Sequence, residues 1–292
     1  MNKFFGTGVA LVTPFNADKS VDVVGLEKLV KFQISNGINY LVVLGTTGEP
    51  ATLTSEEKEL VKETIIKANN GVLPLVLGIG GNNTAEVMEA VQQTDLSNFD
   101  AVLSVSPYYN RPTQEGIYQH FVAIAAVCPK PIIIYNVPSR TGANIEAETV
   151  VRLANDCSNI IAVKEAAGSM VQAMQLIKET PTDFLVISGD DAIALPITLA
   201  GGAGVISVIG QGLPEKFAKL IDLALQNDAK NSFTLQYQLL DSIDLIFKEG
   251  NPAGIKAMLH QLDICSDEVR LPLVKASEEL YQKIHTFIKN DK

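Results

Sequence analysis

The 292-residue chain is poor in the residues that build metal and redox centres, with three cysteines and three histidines. Cys128, Cys157 and Cys265 lie far apart in no paired spacing suited to zinc or thiol exchange, so each reads as a small core residue of a reducing compartment. His120, His260 and His285 are equally scattered. No metal site is expected, and carbonyl chemistry would have to use an amine. Positive charge is also short: 23 Lys and Arg against 33 Asp and Glu leave a formal net charge of −10. With no basic cluster to offset it, nucleic acid is an unfavourable partner, because that binding depends on basic surface displacing counterions. No uninterrupted apolar stretch approaches a membrane span. Met1 to Gly6 runs into a strand-like segment without an apolar leader core or a small-residue cleavage site. Low-complexity tracts and Ser/Pro-rich linkers are missing, while 47% of residues are hydrophobic and 19% charged, so a globular, cytoplasmic protein is expected.

The length allows two average domains or one large barrel. From Gly6 to about Val208 one rhythm recurs: a short β-branched run, a polar turn, a helical stretch. The strand-like runs are Thr7 to Val12, Tyr40 to Leu44, Leu75 to Ile79, Ala101 to Val105, Ile132 to Tyr135, Ile160 to Lys164, Phe184 to Ser188 and Gly204 to Val208. Val23, Leu26, Val30 and Ile34 line one face of a first helix that Gly37 ends. Thr54 to Glu57 forms a capping box, Ser169 to Gln172 repeats the device, and Asn83 with Glu86 offers a third. Pro214 opens the eighth helix. Eight β-α alternations with apolar strands predict a closed α/β fold, the (β/α)8 TIM barrel. An open doubly wound sheet would usually carry a glycine-rich first turn, and Val12-Thr13-Pro14-Phe15 has none. Beyond Leu225 only helices are expected, over Ala229 to Lys248, Ala253 to Gln261 and Pro272 to Ile288, with Leu273, Leu280, Ile284 and Ile288 on one face of the last. The division is therefore a barrel over 1–225 and a three-helix extension over 226–292 packed on its outside.

The unusual run is Ile160-Ile161-Ala162-Val163-Lys164-Glu165, an apolar strand that ends on an amine. Burial disfavours an ammonium, and a neutral amine attacks ketones to form Schiff bases. A lysine whose stem lies on the strand while its head reaches water is the alternative. Barrel sites lie at the C-terminal strand ends, which here bring together Thr13, Gly45-Thr46-Thr47-Gly48-Glu49, Pro107-Tyr108-Tyr109-Asn110, Tyr135-Asn136, Lys164, Gly189-Asp190 and Ser207. The Gly45 to Glu49 turn offers hydroxyls and backbone N–H groups to a small anion such as a carboxylate, or is an ordinary βα turn. Gly201, Gly202 and Gly204 could form the phosphate site of many barrels, but suit a tight turn better, and no Walker-type loop occurs. Tyr135 neighbours Lys164 and can move the protons of Schiff-base chemistry, or merely fill the rim. Arg140, in the loop that follows, can clamp a carboxylate in two bonds or be a surface arginine.

Gly45-Thr46-Thr47-Gly48-Glu49, Tyr135-Asn136-Val137-Pro138-Ser139-Arg140-Thr141-Gly142 and Pro107-Tyr108-Tyr109-Asn110 together carry a likeness. From Gly8-Val9-Ala10 and Thr13-Pro14-Phe15 to Asn251-Pro252, the chain resembles the pyruvate-dependent Schiff-base lyases and aldolases, and within them the dihydrodipicolinate synthase family. The resemblance implies condensation of pyruvate with L-aspartate 4-semialdehyde on Lys164, without a cofactor. It implies a proton relay of Thr46, Tyr109 and Tyr135, with Tyr109 reaching into a neighbouring subunit's site of a homodimer or homotetramer. It places Thr47 on the pyruvate carboxylate, Arg140 on the semialdehyde carboxylate, and Gly189 and Ile206 as backbone or wall contacts. Lysine-inhibited relatives bind lysine at positions corresponding to Ala51, Ser55, Lys58, Asn82, Glu86 and Tyr108. Strongly inhibited members tend to carry histidines at the positions of Ser55 and Lys58, and a second cation repels bound lysine, so weak or absent inhibition is expected. Rival readings are N-acetylneuraminate lyase or a 2-keto-3-deoxy sugar-acid aldolase using the same chemistry, a phosphosugar barrel enzyme, and a barrel kept for binding or structure.

Overall fold

Eight short apolar runs become eight parallel strands hydrogen-bonded in sequence order, and the last closes on the first. The computed structural model describes residues 2–290; residues 1, 291 and 292 of the two expected segments lie outside the described residues. The strands are β1 Gly6–Ala10, β2 Tyr40–Val43, β3 Leu75–Gly78, β4 Ala101–Val105, β5 Ile132–Asn136, β6 Ile160–Glu165, β7 Leu185–Ser188 and β8 Gly204–Ser207. Both faces are buried, inward by the barrel core and outward by helices, which is why the runs are apolar throughout. The open-sheet alternative is excluded by the β1–β8 pairing, Gly6 opposite Gly204 through Val9 opposite Ser207.

The helices are α1 Val23–Ser35, α2 Ser55–Asn69, α3 Thr84–Gln93, α4 Gln114–Val127, α5 Pro138–Thr141, α6 Ala147–Asp156, α7 Met170–Glu179, α8 Ala194–Leu199, α9 Pro214–Leu225, α10 Ala229–Phe247, α11 Ala253–Gln261 and α12 Glu278–Asn290. Inside the barrel, Tyr40 is wholly buried, stacked edge-on against Phe4 at 5.6 Å, and its phenol donates to Val205 O at 3.2 Å. Gly8 makes this possible, since a Cβ there would stand 2.1 Å from the Tyr40 ring. Gly201 and Gly204 both have φ above +100°, and Gly202 N donates to Ile197 O at 2.9 Å. The glycines thus form the tight turn from α8 into the N-terminal end of β8, opposite the mouth where a barrel site lies.

In β6 the register against β5 shifts: Ile132 pairs with Ile160, but Ile133 pairs with Ala162, which leaves Ile161 as an extra residue. From there Tyr135 stands opposite Lys164 and Asn136 opposite Glu165.

Three local expectations need correction. The last helix begins at Glu278, not Pro272, because Ser277 Oγ accepts from Leu280 N at 3.2 Å and Glu249 accepts from Ser277 N at 2.7 Å. Leu273 therefore lies outside the helix and is 38% exposed, whereas Leu280 and Ile284 are buried. Ser169 caps α7 through Gln172 N at 3.2 Å, but the Gln172 amide donates to Asn144, Ile145 O and Glu165 instead of closing the box. Asn83 likewise accepts from Ala85 N and spends its own amide on Glu86.

The Thr54–Glu57 box is complete, and its Glu57 also holds the Arg270 guanidinium. That hydrogen-bonded pair, working against burial, keeps the Glu57 carboxyl down at about 2. A carboxyl depressed in the fold stabilises above its unfolded value and loses that contribution as pH falls through the folded one. Glu57→Gln keeps the box and removes the charge, so urea denaturation at pH 7 should show a loss of roughly 1 to 2 kcal/mol, discounted for partial exposure. The gap between variant and parent should close as pH is lowered from about 4.5 to about 2.

Candidate active site

Strand parity decides which side chains enter the barrel. Along β6, Ala162 joins the inner core and Val163 the outer, so Lys164 points inward and Glu165 outward. Along β5, Ile133 and Tyr135 face in while Ile134 and Asn136 face the helices. Lys164 is 5% exposed, its Nζ lies 4.3 Å from the centroid of the Tyr135 ring, and it makes no hydrogen bond or ion pair with a described residue. The stem is thus buried, while the amine, without a partner among the described residues, keeps a small accessible area at the strand ends.

Gly189 follows β7 directly beside this amine. A Cβ at Gly189 would meet Lys164 Cε at 2.9 Å, so the glycine leaves room for the lysine stem. Its N–H is occupied by Glu165 O at 2.7 Å, which leaves the carbonyl as the free backbone group. Ile206 is buried in the same inner core as Tyr135 and Ile187 and forms part of the wall.

The outward residues support the inward ones. Glu165 accepts from Asn136 Nδ2 at 3.0 and 3.1 Å, from Gln172 Nε2 at 2.9 Å and from Ala167 N at 2.7 Å. Burial raises its carboxyl above the usual range against those donors. Asn136 also accepts from Ile145 N at 2.9 Å and donates to Asn144 at 2.8 Å, closing the loop that carries Arg140. Arg140 sits in α5, exposed, two residues before Gly142, which is in left-handed conformation. Asp191, fully buried beyond β7, accepts from Val208 N and Ile209 N at 3.0 and 2.9 Å and ties the loops after β7 and β8. Burial pushes it up to about 6 against those bonds.

The turn after β2 is a short 3-10 turn over Thr46–Gly48 ending at Glu49 with φ 53°. Thr47 is buried, and Thr46 is partly exposed at the mouth. Tyr109 has φ 72° and is 90% exposed, a costly placement for a large ring, with Tyr108 beside it at 41%. Within one chain no hydrogen bond joins the hydroxyls of Thr46, Tyr109 and Tyr135. Ala51 and Ser55 are exposed, Lys58 is partly buried, Asn82 donates to Tyr108 O at 3.1 Å, and Glu86 is exposed. All six positions thus reach the surface, and Asn82 is tied to the Tyr108 backbone.

Sequence reading missed the residues that hold the Gly45 to Glu49 turn. Asn251 donates to Thr47 Oγ at 2.8 Å, and Lys256 donates to Glu49 at 2.6 Å. A signal was there: Lys256 is the lone charge in the apolar run from Ala253 to Leu259.

A closed parallel barrel with an inward, buried lysine amine at the C-terminal mouth defines the class as the barrel lyases, whose lysine can hold a ketone covalently. The sequence profile of the dihydrodipicolinate synthetase family matches residues 3–291. The chain belongs to that family. It is 57% identical over 289 residues to a 4-hydroxy-tetrahydrodipicolinate synthase of Flavobacterium psychrophilum, covering 99% of each chain. Among solved structures it is similar to the dihydrodipicolinate synthase of Aquifex aeolicus, with a TM-score of 0.95 and 39% identity over 99% of this chain and 98% of that one. A monomeric dihydrodipicolinate synthase variant matches with a TM-score of 0.95 and 36% identity over 98% and 96%.

Proposed function

We propose that this chain condenses pyruvate with L-aspartate 4-semialdehyde to give 4-hydroxy-tetrahydrodipicolinate, the step committed toward diaminopimelate and lysine. The observation that carries this reading is the buried Lys164 amine facing Tyr135 across paired strands. The amine adds to the pyruvate ketone, and the carbinolamine loses water to give an iminium. Loss of a methyl proton gives an enamine, whose carbon attacks the aldehyde. The semialdehyde's own amine then displaces Lys164, closes the ring and frees the enzyme. Thr46, Tyr135 and a neighbouring subunit's copy of Tyr109 relay the protons; the exposure of Tyr109 supports its use by a partner in a homodimer or homotetramer. Thr47 receives the pyruvate carboxylate, Arg140 the semialdehyde carboxylate, and the Gly189 carbonyl and Ile206 line the pocket. In this reading residues 1–225 are the catalytic barrel and 226–292 its helical extension, acting in the cytoplasm without a cofactor.

The test is pyruvate consumption by purified protein with aspartate semialdehyde, N-acetylmannosamine or glyceraldehyde as acceptor. Turnover with the semialdehyde alone supports the synthase. Turnover with a sugar aldehyde instead would make it an N-acetylneuraminate lyase or sugar-acid aldolase and remove the role given to Arg140. Arg140→Ala should lower kcat/KM for the semialdehyde by about 30- to 100-fold, the worth of a charge-assisted two-bond contact, with pyruvate trapping by borohydride retained.

Ala51, Ser55, Lys58, Asn82, Glu86 and Tyr108 surround the position where lysine would bind. Lys58 places a cation there, so lysine should inhibit weakly or not at all. Half-maximal inhibition at micromolar lysine would overturn this.

A further inference from the structure

The Gly45 to Glu49 turn is not held by the barrel alone. Thr13 Oγ donates to Gly48 O at 2.7 Å from the loop after β1. The other two ties come from residues 204 and 207 positions further along the chain, Asn251 to Thr47 and Lys256 to Glu49. Arg270 N adds a bond to the second Glu49 oxygen at 3.1 Å. Glu49 is in the left-handed region, which a residue with a Cβ avoids unless its surroundings impose it.

The Lys256–Glu49 pair is almost completely enclosed, with side chains 0% and 1% exposed. Lys256 Nζ also donates to Glu268 O at 2.7 Å and lies 4.2 Å from the centre of the Phe15 ring. A buried ion pair is an inefficient way to gain stability, because removing both charges from water offsets most of their attraction. What such a pair does well is fix one geometry, since a displaced partner leaves an uncompensated charge. At Thr47 the direction of the bond matters. The Asn251 amide donates to the hydroxyl oxygen, so the Thr47 proton remains free to be donated elsewhere.

We propose that Lys256 and Asn251 are positioning residues for the carboxylate of a 2-keto acid: from the C-terminal segment they clamp Glu49 and aim the Thr47 proton into the site. The proposal rests on the pyruvate reading above. Neither residue touches the substrate; they act through the turn.

The test is steady-state kinetics on full-length Lys256→Met and Asn251→Asp, with borohydride trapping of pyruvate at saturation. Aspartate at position 251 has the size of asparagine but accepts instead of donating, so it takes the Thr47 proton for itself. Both variants should raise KM for pyruvate at least about fivefold, with KM for the semialdehyde and the trapped fraction at saturating pyruvate within about twofold of the parent. A purely structural role would reduce the active fraction, lowering apparent kcat and leaving KM for pyruvate unchanged, and that result overturns the proposal. If Lys256→Met does not fold, Asn251→Asp decides alone, because it retains size on a partly exposed residue. Failure of the parent protein itself to be trapped by pyruvate would instead remove the pyruvate reading, an outcome distinguishable from any change confined to the variants.

Discussion

Lys164→Ala should abolish condensation, lowering kcat/KM by at least about a thousandfold, or roughly 4 kcal/mol of barrel-specific transition-state stabilisation. Lys256 cannot replace it, being locked in an ion pair with Glu49, and an arginine at 164 would stay protonated and could not attack a ketone. The covalent step gives a second readout. Borohydride with pyruvate should add mass irreversibly to the parent at Lys164 and add none to the variant. Stability separates chemistry from folding. The Lys164 amine makes no hydrogen bond or ion pair with a described residue, so the fold does not depend on it, and Lys164→Ala should melt within a few degrees of the parent. A variant that still turns over at a tenth of the parental rate would place the chemistry elsewhere.

Tyr135→Phe should cost about a hundred- to a thousandfold in kcat/KM, the range in which a positioned proton donor contributes. The ring remains, and with it the packing against Lys164 at 4.3 Å, so the loss is assigned to the hydroxyl alone. Its pattern differs from that of the lysine variant. Schiff-base formation needs proton transfer but not this particular donor, so pyruvate should still be trapped by borohydride in Tyr135→Phe, only more slowly. Trapping at the parental rate together with unimpaired turnover would reduce Tyr135 to a wall of the barrel.

The eight strands could be read from the sequence because each is buried on both faces and is therefore a continuous apolar run; all eight appear within two residues of the expected bounds. Lys164 was legible for the same reason, as a charge where the run should stay apolar. Boundaries set by a single side chain were not legible. Pro272 looks like a helix start, but Ser277 supplies the hydrogen bond that starts α12. Gln172 stands at capping-box spacing, yet Glu165 on the preceding strand and Asn144, 28 residues away, compete for its amide. The support of the Gly45 to Glu49 turn was hidden in the same way. Hydrophobic periodicity reports which face of a helix is buried, and it says nothing about which carboxylate a buried lysine will meet 207 residues away.

The extra residue at Ile161 has a consequence for what evolution can change here. In a strand each added or removed residue reverses which side chains face inward. Ile161 absorbs one such step, and the strand beyond it, Ala162 to Glu165, keeps the phase that points the amine into the barrel. Losing or gaining one apolar residue at this place would alter composition hardly at all and could leave a closed barrel, yet it can turn Lys164 toward the helices and Glu165 toward the substrate. Insertions in the loops between strands and helices carry no such penalty. Within a lineage of these enzymes the length of β6 should therefore be frozen more firmly than the identity of most residues in it, and a shift by a single codon there would convert a catalyst into an inert fold.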